Sequence, residues 1–127
     1  MSKTAKEMEQ EIIQLLREQK AEYDEHDKWY KEWKADEIAR GTSPDFFEDE
    51  FYFNGYIYAN DVHNIVAYVL FGTNAYKHFE RNKYHGTYDK NLLTKDQWEK
   101  VNLVEKGMVD KGIIKPSKSG AMAKVLV

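Results

Sequence analysis

Four histidines, His26, His63, His78 and His85, stand among 22 Asp and Glu residues. Metal binding and acid–base catalysis are therefore the first chemistries to weigh. Protease-type zinc sites need paired histidines one helical turn apart, as in His-Glu-x-x-His, and no histidine pair here has that spacing. Asp61-x-His63 sets its two groups on different sides of a helical turn, while His78 and His85 are near enough in the chain to meet across a turn. Serine chemistry lacks its frame: Ser117 and Ser119 have no His or carboxylate nearby in sequence and no Gly-x-Ser-x-Gly elbow, and read as a turn. The seven glycines are scattered, with neither a Walker loop nor Gly-x-Gly-x-x-Gly to cradle a phosphate. Asp45, Glu48, Asp49 and Glu50, beside aromatic rings, are the set from which a paired-carboxylate hydrolase would draw. With no cysteine there is no disulfide, thiolate metal site or cysteine nucleophile. The expectation is a protein without catalytic residues, metal or cofactor.

Binding chemistry is better represented. Seven of the thirteen residues from Phe46 to Tyr58 are aromatic, with Glu48, Asp49 and Glu50 among them. Tyr, Trp and Phe concentrate at the centres of protein interfaces because they bury much area at low entropic cost, and carboxylates beside them suit a basic groove. Phe46, Phe47, Glu48, Asp49, Glu50, Tyr52 and Tyr56 are thus the candidate partner-binding residues. A second candidate surface is basic: Lys77, Arg81 and Lys83 can neutralise phosphates and Tyr84 can stack on a base.

The elements that position these residues follow from periodicity. From Lys3 to Arg40 there is no Pro or Gly, and Met8, Ile12, Leu15, Leu16, Tyr23, Trp29, Tyr30 and Trp33 recur at helical spacing. Gly41 and Pro44 end the run. An unbroken helix would be about 55 Å long, against a diameter of about 36 Å for a domain of this size. It must bend, split near Glu22 to Lys28, or project and pair. Ile12, Leu16, Tyr23 and Tyr30 are accordingly the candidate oligomer interface, with Gln19 and His26 in heptad register with Ile12 and Trp33.

Asn54-Gly55 supplies the positive φ angles of a type I′ turn, so residues on either side are expected to pair as a β-hairpin whose inward row holds Phe51 or Phe53. Asn60 or Asp61 is expected to cap a core helix reading Val62, Ile65, Val66, Val69 and Leu70; a further helix is expected over 74–83 and a loop over 84–93. Thr94-Lys95-Asp96-Gln97 matches a capping box and opens a helix that stops at Gly112. The Val-rich end, 121–127, is expected to add a strand beside the hairpin.

The whole reads as a mainly helical α+β single domain, 1–127, with a long helix over 1–40 and a compact body over 41–127 whose small antiparallel sheet is built on one β-hairpin. At 127 residues it is long enough to bury one core. The longest apolar run, Ile65 to Phe71, falls far short of the ~20 residues that span a bilayer, so no membrane partner and a cytoplasmic location are expected. The net charge of -3 is uneven: residues 1–50 carry 8 Lys and Arg against 15 Asp and Glu, and residues 51–127 carry 11 against 7. The composition, cysteine-free and rich in Lys, Asn and Tyr, is in the style of accessory proteins of phages and other mobile elements of low-GC bacteria, which would place it in a host cytoplasm. The leading functional expectation is a non-enzymatic protein-interaction module, such as an inhibitor of a host or defence enzyme, with a homodimer through the N-terminal helix as a further option. The alternative is a small nucleic-acid-binding regulator using 77–85.

Overall fold

A computed structural model describes residues 3–47, 52–73, 76–79, 82–88 and 92–127, with 76–79 and 82–88 described as backbone. The elements run α1 (Ala5–Ala39), β1 (Tyr56–Tyr58), α2 (Ala59–Phe71), β2 (Tyr76–Phe79), β3 (Asn82–Tyr88), α3 (Lys95–Asp110), β4 (Ile114–Pro116) and β5 (Met122–Val125). Among the described residues the architecture is α+β: three α-helices and a small three-stranded antiparallel sheet in the order β1-β5-β4, with a separate β2–β3 ribbon.

Local chemistry sets the long helix at both ends. The Thr4 hydroxyl accepts from the Glu7 amide at 3.1 Å while the Glu7 carboxylate reaches back to the Thr4 amide at 3.4 Å, a complete capping box. At the other end Gly41, with φ of 104°, turns the chain so that its amide reaches the Ile38 carbonyl and the Thr42 amide reaches that of Glu37. That is the Schellman pattern, which needs the left-handed conformation glycine adopts without strain. The helix is continuous over its 35 residues, about 53 Å, and divides its faces between two environments. Its first half belongs to the body: Ile12 and Leu16 are fully buried with Ile57, Val62, Ile65, Val66 and Val101. These two side chains, expected at an oligomer interface, are core of their own chain and have no surface to offer another.

The helix over 95–110 starts at its predicted capping box, the Gln97 amide donating to the Thr94 hydroxyl at 3.2 Å. The C-terminal strand is also present, but its neighbours differ from expectation. β5 pairs with β1, Tyr56 opposite Lys124 and Tyr58 opposite Met122, and with β4, Ile114 opposite Val125. The hairpin on which the sheet is built is therefore β4–β5, not 46–58. Tyr52 and Phe53 are not strand. The Asn54-Gly55 turn itself forms as predicted, with φ of 53° and 88° and the Tyr56 amide donating to the Phe53 carbonyl at 2.9 Å.

Two further expectations are corrected. Neither Asn60 nor Asp61 caps α2; Tyr58 occupies the N-cap position and its side chain makes no capping bond, and Asp61 lies inside the first turn, fully buried. The helix expected over 74–83 and the loop over 84–93 give way to β2 and β3, which pair antiparallel with Tyr76 opposite Tyr88 and His78 opposite Gly86. Rings and β-branched residues such as Tyr76, Phe79, Tyr84, Thr87 and Tyr88 favour the extended chain, and Tyr76 with Phe79 fits a helical spacing only over a stretch too short to decide.

Candidate docking surface

The second half of α1 carries aromatic residues where its first half carries aliphatic ones. Trp29 and Trp33, four residues apart, share a face, and their rings stack at 5.9 Å between centroids and 7° between planes. Tyr30, around the helix from them, is met edge-on by Tyr52 at 5.4 Å and by Phe47 at 6.5 Å, and Phe47 is edge-on to Trp33 at 5.5 Å. His26 joins this group to Phe53, whose ring stacks on Tyr23 at 4.3 Å and 9°. A continuous band of rings thus runs from Tyr23 to Phe46. Edge-to-face and offset pairs of this kind add about 0.5–1.5 kcal/mol each beyond area burial.

A helix carboxylate holds the segment at Phe53 and Asn54 in place. Asp27 accepts from the Phe53 amide through Oδ1 and from the Asn54 amide through Oδ2, both at 2.9 Å. The Phe53 amide, which Tyr56 would have taken in the expected hairpin, is satisfied by α1 instead, together with the Asn54 amide of the turn. That contact fixes the turn against the helix and presents Phe53 to Tyr23. Below it, the Tyr23 hydroxyl donates to Asp61 at 2.6 Å, and Gln19, also buried, lies 3.4 Å from the same hydroxyl. Burial first, and then the Asp61 carboxylate beside it, push the Tyr23 phenol well above its ordinary range.

The candidate partner-binding residues divide. Phe46 is 72% exposed, its ring edge-on to Phe47 at 5.1 Å, whereas Phe47 is 4% exposed and fills the gap under Tyr30 and Trp33. Phe47 is therefore a packing residue and is withdrawn from the contact surface. Glu48, Asp49 and Glu50 lie outside the described residues, as does Phe51. Phe53 is the inward ring, and Tyr52 is half-buried. Tyr56 faces Tyr52 across a hollow of about 270 Å³ bordered by Phe53, Asn54, Ser117 and Met122. Of the oligomer set, Tyr23 and Tyr30 are half-buried within the aromatic band. For the basic set, Lys77 falls on β2 and Lys83 and Tyr84 on β3, while Arg81 lies outside the described residues.

Sequence reasoning passed over Trp29, Trp33 and the acids around them as site residues, though their spacing was visible. Trp29 is 58% exposed. Projected at 100° per residue, Glu22, Glu25, Glu32 and Asp36 lie within about 80° of the direction shared by the two indoles, and all four are exposed. Lys28, Lys31 and Lys34 lie more than about 100° away. Arg40, just past the helix, is the cation on the indole side, 3.9 Å from Glu37. From Glu22 to Phe47 eight Asp and Glu oppose four Lys and Arg, and the helix sorts the acids toward the rings.

The ionisable pair that a catalytic reading would favour lies elsewhere. His63 Nδ1 is 2.5 Å from Glu105 Oε1, with Trp98 edge-on at 6.0 Å, beside a cavity of about 240 Å³ whose walls include Ala59, Val62, Ile114 and Met122. The pair links α2 to α3. Asp61 turns instead to α1, so Asp61 and His63 do face different neighbours. Among the described residues no three His, Asp or Glu side chains group to hold a metal ion, and no helix is long and apolar enough to cross a membrane.

Comparison of the chain with protein-family models, with curated proteins and with solved structures finds no match in any of the three.

Proposed function

We propose that this chain is a non-enzymatic protein-interaction module that docks a basic protein partner through the aromatic and acidic end of α1 together with Phe46 and Tyr52. The observation that carries the reading is the joint exposure of Trp29 and Phe46, at 58% and 72%, on one band of rings. Single exposed apolar side chains such as Leu103 are ordinary, but connected large rings bordered by charge are the composition of an interface centre and its rim. The carboxylates on the indole side favour a positively charged partner and speed its approach. A groove built for nucleic acid is one such partner: carboxylates can lie where phosphates would, which is the proposed route to inhibiting a host or defence enzyme. A second copy of the chain could not dock on Ile12 and Leu16, which are buried.

The test is affinity capture from the producing cell with the intact protein and with Trp29→Ala plus Phe46→Ala. The expected result is a basic protein retained by the first and lost by the second, with unchanged circular dichroism. Equal capture by both would place the docking surface elsewhere.

The nucleic-acid alternative draws support from one observation: Lys77 and Lys83 fall on an antiparallel ribbon, an element that fits the DNA major groove. Salt-sensitive DNA or RNA binding abolished by Lys77→Glu plus Lys83→Glu would favour it.

A further inference from the structure

We infer that the Trp29–Trp33 pair is the seat of an arginine side chain from a basic, extended segment of the partner, with Glu25, Glu32 and Asp36 taking its outward N–H groups. The inference rests on the reading of this end of α1 as a docking surface and adds the chemistry of what docks there.

Three observations converge on it. First, the indoles are stacked nearly parallel at 5.9 Å and 7°, and Trp29 is 58% exposed, so a flat aromatic platform with a negative face is open to the outside. Indole is the strongest of the side-chain π-systems for a cation. Second, carboxylates surround the platform on its own side of the helix: Glu25 one turn before Trp29, Glu32 beside the pair, and Asp36 one turn beyond, all exposed. A cation over the rings can then lie within reach of an acid from more than one direction. Third, the helix's own lysines are directed away from the platform. Lys34 Nζ instead sits 5.7 Å from the centre of the Phe47 ring, on the other flank.

The shape and chemistry select arginine over lysine. Guanidinium is planar and weakly hydrated, so it can lie flat on an indole and still extend N–H groups in its plane toward carboxylates at the edge of the ring. An ammonium is a compact, strongly hydrated point charge and can satisfy the ring or the carboxylates with less overlap of the two. Phosphate-bearing polymers are disfavoured, because the same carboxylates repel them.

The experiment is a calorimetric titration of the full chain at about 0.15 M salt with three short synthetic peptides: one alternating arginine and glycine, its lysine counterpart, and a glycine–serine control. The expected result is binding of the arginine peptide at least about threefold tighter than the lysine peptide, with quenching of tryptophan fluorescence. Trp29→Ala should weaken the arginine peptide by roughly tenfold. The combined Glu25→Gln, Glu32→Gln and Asp36→Asn variant should weaken both peptides and flatten the salt dependence. Trp29 and these acids are exposed, so both variants should retain the wild-type circular dichroism; Leu103→Ala, on α3, serves as a surface control. Equal affinity for the two peptides, both lost in the neutralised variant, would overturn the arginine seat and leave the acidic docking surface standing. No binding of either peptide would overturn both. A wild-type sedimentation mass of two chains that falls to one in Trp29→Ala would assign the platform to a second copy and overturn the basic-peptide occupant.

Discussion

Asp27 fixes the Asn54-Gly55 turn against α1 at the proposed docking end, because its two oxygens each hold one amide of the chain leading into that turn. Hydrogen bonds to a charged group contribute about 1.5–3 kcal/mol each, and losing both leaves the half-buried Phe53 amide without that acceptor. Asp27→Ala is therefore expected to lower stability by about 2–4 kcal/mol, read as a fall in urea midpoint with little change in slope. An unchanged midpoint would mean that the turn is held by its neighbours alone. Tyr23 makes the complementary contact at the buried side. Its folded-state phenol holds the proton more tightly than the unfolded chain does. The sign follows from linkage: the stability it contributes is full below the ordinary phenol value near 10 and declines as pH rises above it, where the unfolded chain alone releases the proton. Urea midpoints compared between about pH 8 and about pH 11 should fall for the wild type and fall less for Tyr23→Phe. At neutral pH that variant is expected to be less stable by about 1–3 kcal/mol, because Asp61 loses a donor. Neither contact was legible beforehand: Asp27 and Asn54 are 27 positions apart, and no local pattern ties a mid-helix acid to a distant turn.

Elements with their own capping chemistry were the legible ones. The helix ends at Gly41 and at Gly112, the Thr94 box and the Asn54-Gly55 turn all depend on residues within a few positions of one another. Strand partners do not. β1 has three residues and finds its neighbour in β5, more than sixty positions on, so the residues on either side of Asn54-Gly55 read as paired with each other, when Phe53 and Asn54 are held by α1 and Tyr56–Tyr58 by the C-terminal strand. The 76–88 segment was misread for a related reason, since its sequence carries rings and Thr but no Asn-Gly or Asp-Gly pair to signal a hairpin. α1 itself was legible as an element but its faces were not, because aliphatic and aromatic residues share one stripe. The structure separates them, the aliphatic first half packed into the body and the aromatic second half joined to Phe47, Tyr52 and Phe53. It follows that Ile12→Asp should unfold the protein rather than dissociate an assembly, burying a charge with no partner at a cost of several kcal/mol. Circular dichroism and sedimentation together check this: a folded monomer after the change would show that Ile12 is not core.

At the scale of the molecule, the charge asymmetry visible along the chain becomes an asymmetry in space. Glu22, Glu25, Glu32 and Asp36 of α1 gather beside the exposed Trp29, and basic residues of the second half lie on other elements, among them Lys77, Lys83, Lys115 and Lys124. One end of the long helix is built into the core, and the other is finished with rings that no described residue covers over Trp29 and Phe46. On the proposed reading, the first half of α1 serves stability and the exposed Trp29 serves recognition, with Asp27 tying the second half to the Asn54-Gly55 turn. The direct measurement is site-specific photo-cross-linking in the producing cell, with a photoreactive residue placed in turn at Trp29, Phe46 and the exposed Leu103 of α3. The proposed docking surface predicts a cross-link to one basic protein from positions 29 and 46 and none from 103. Cross-links from 103 alone, with 29 and 46 silent, would contradict it.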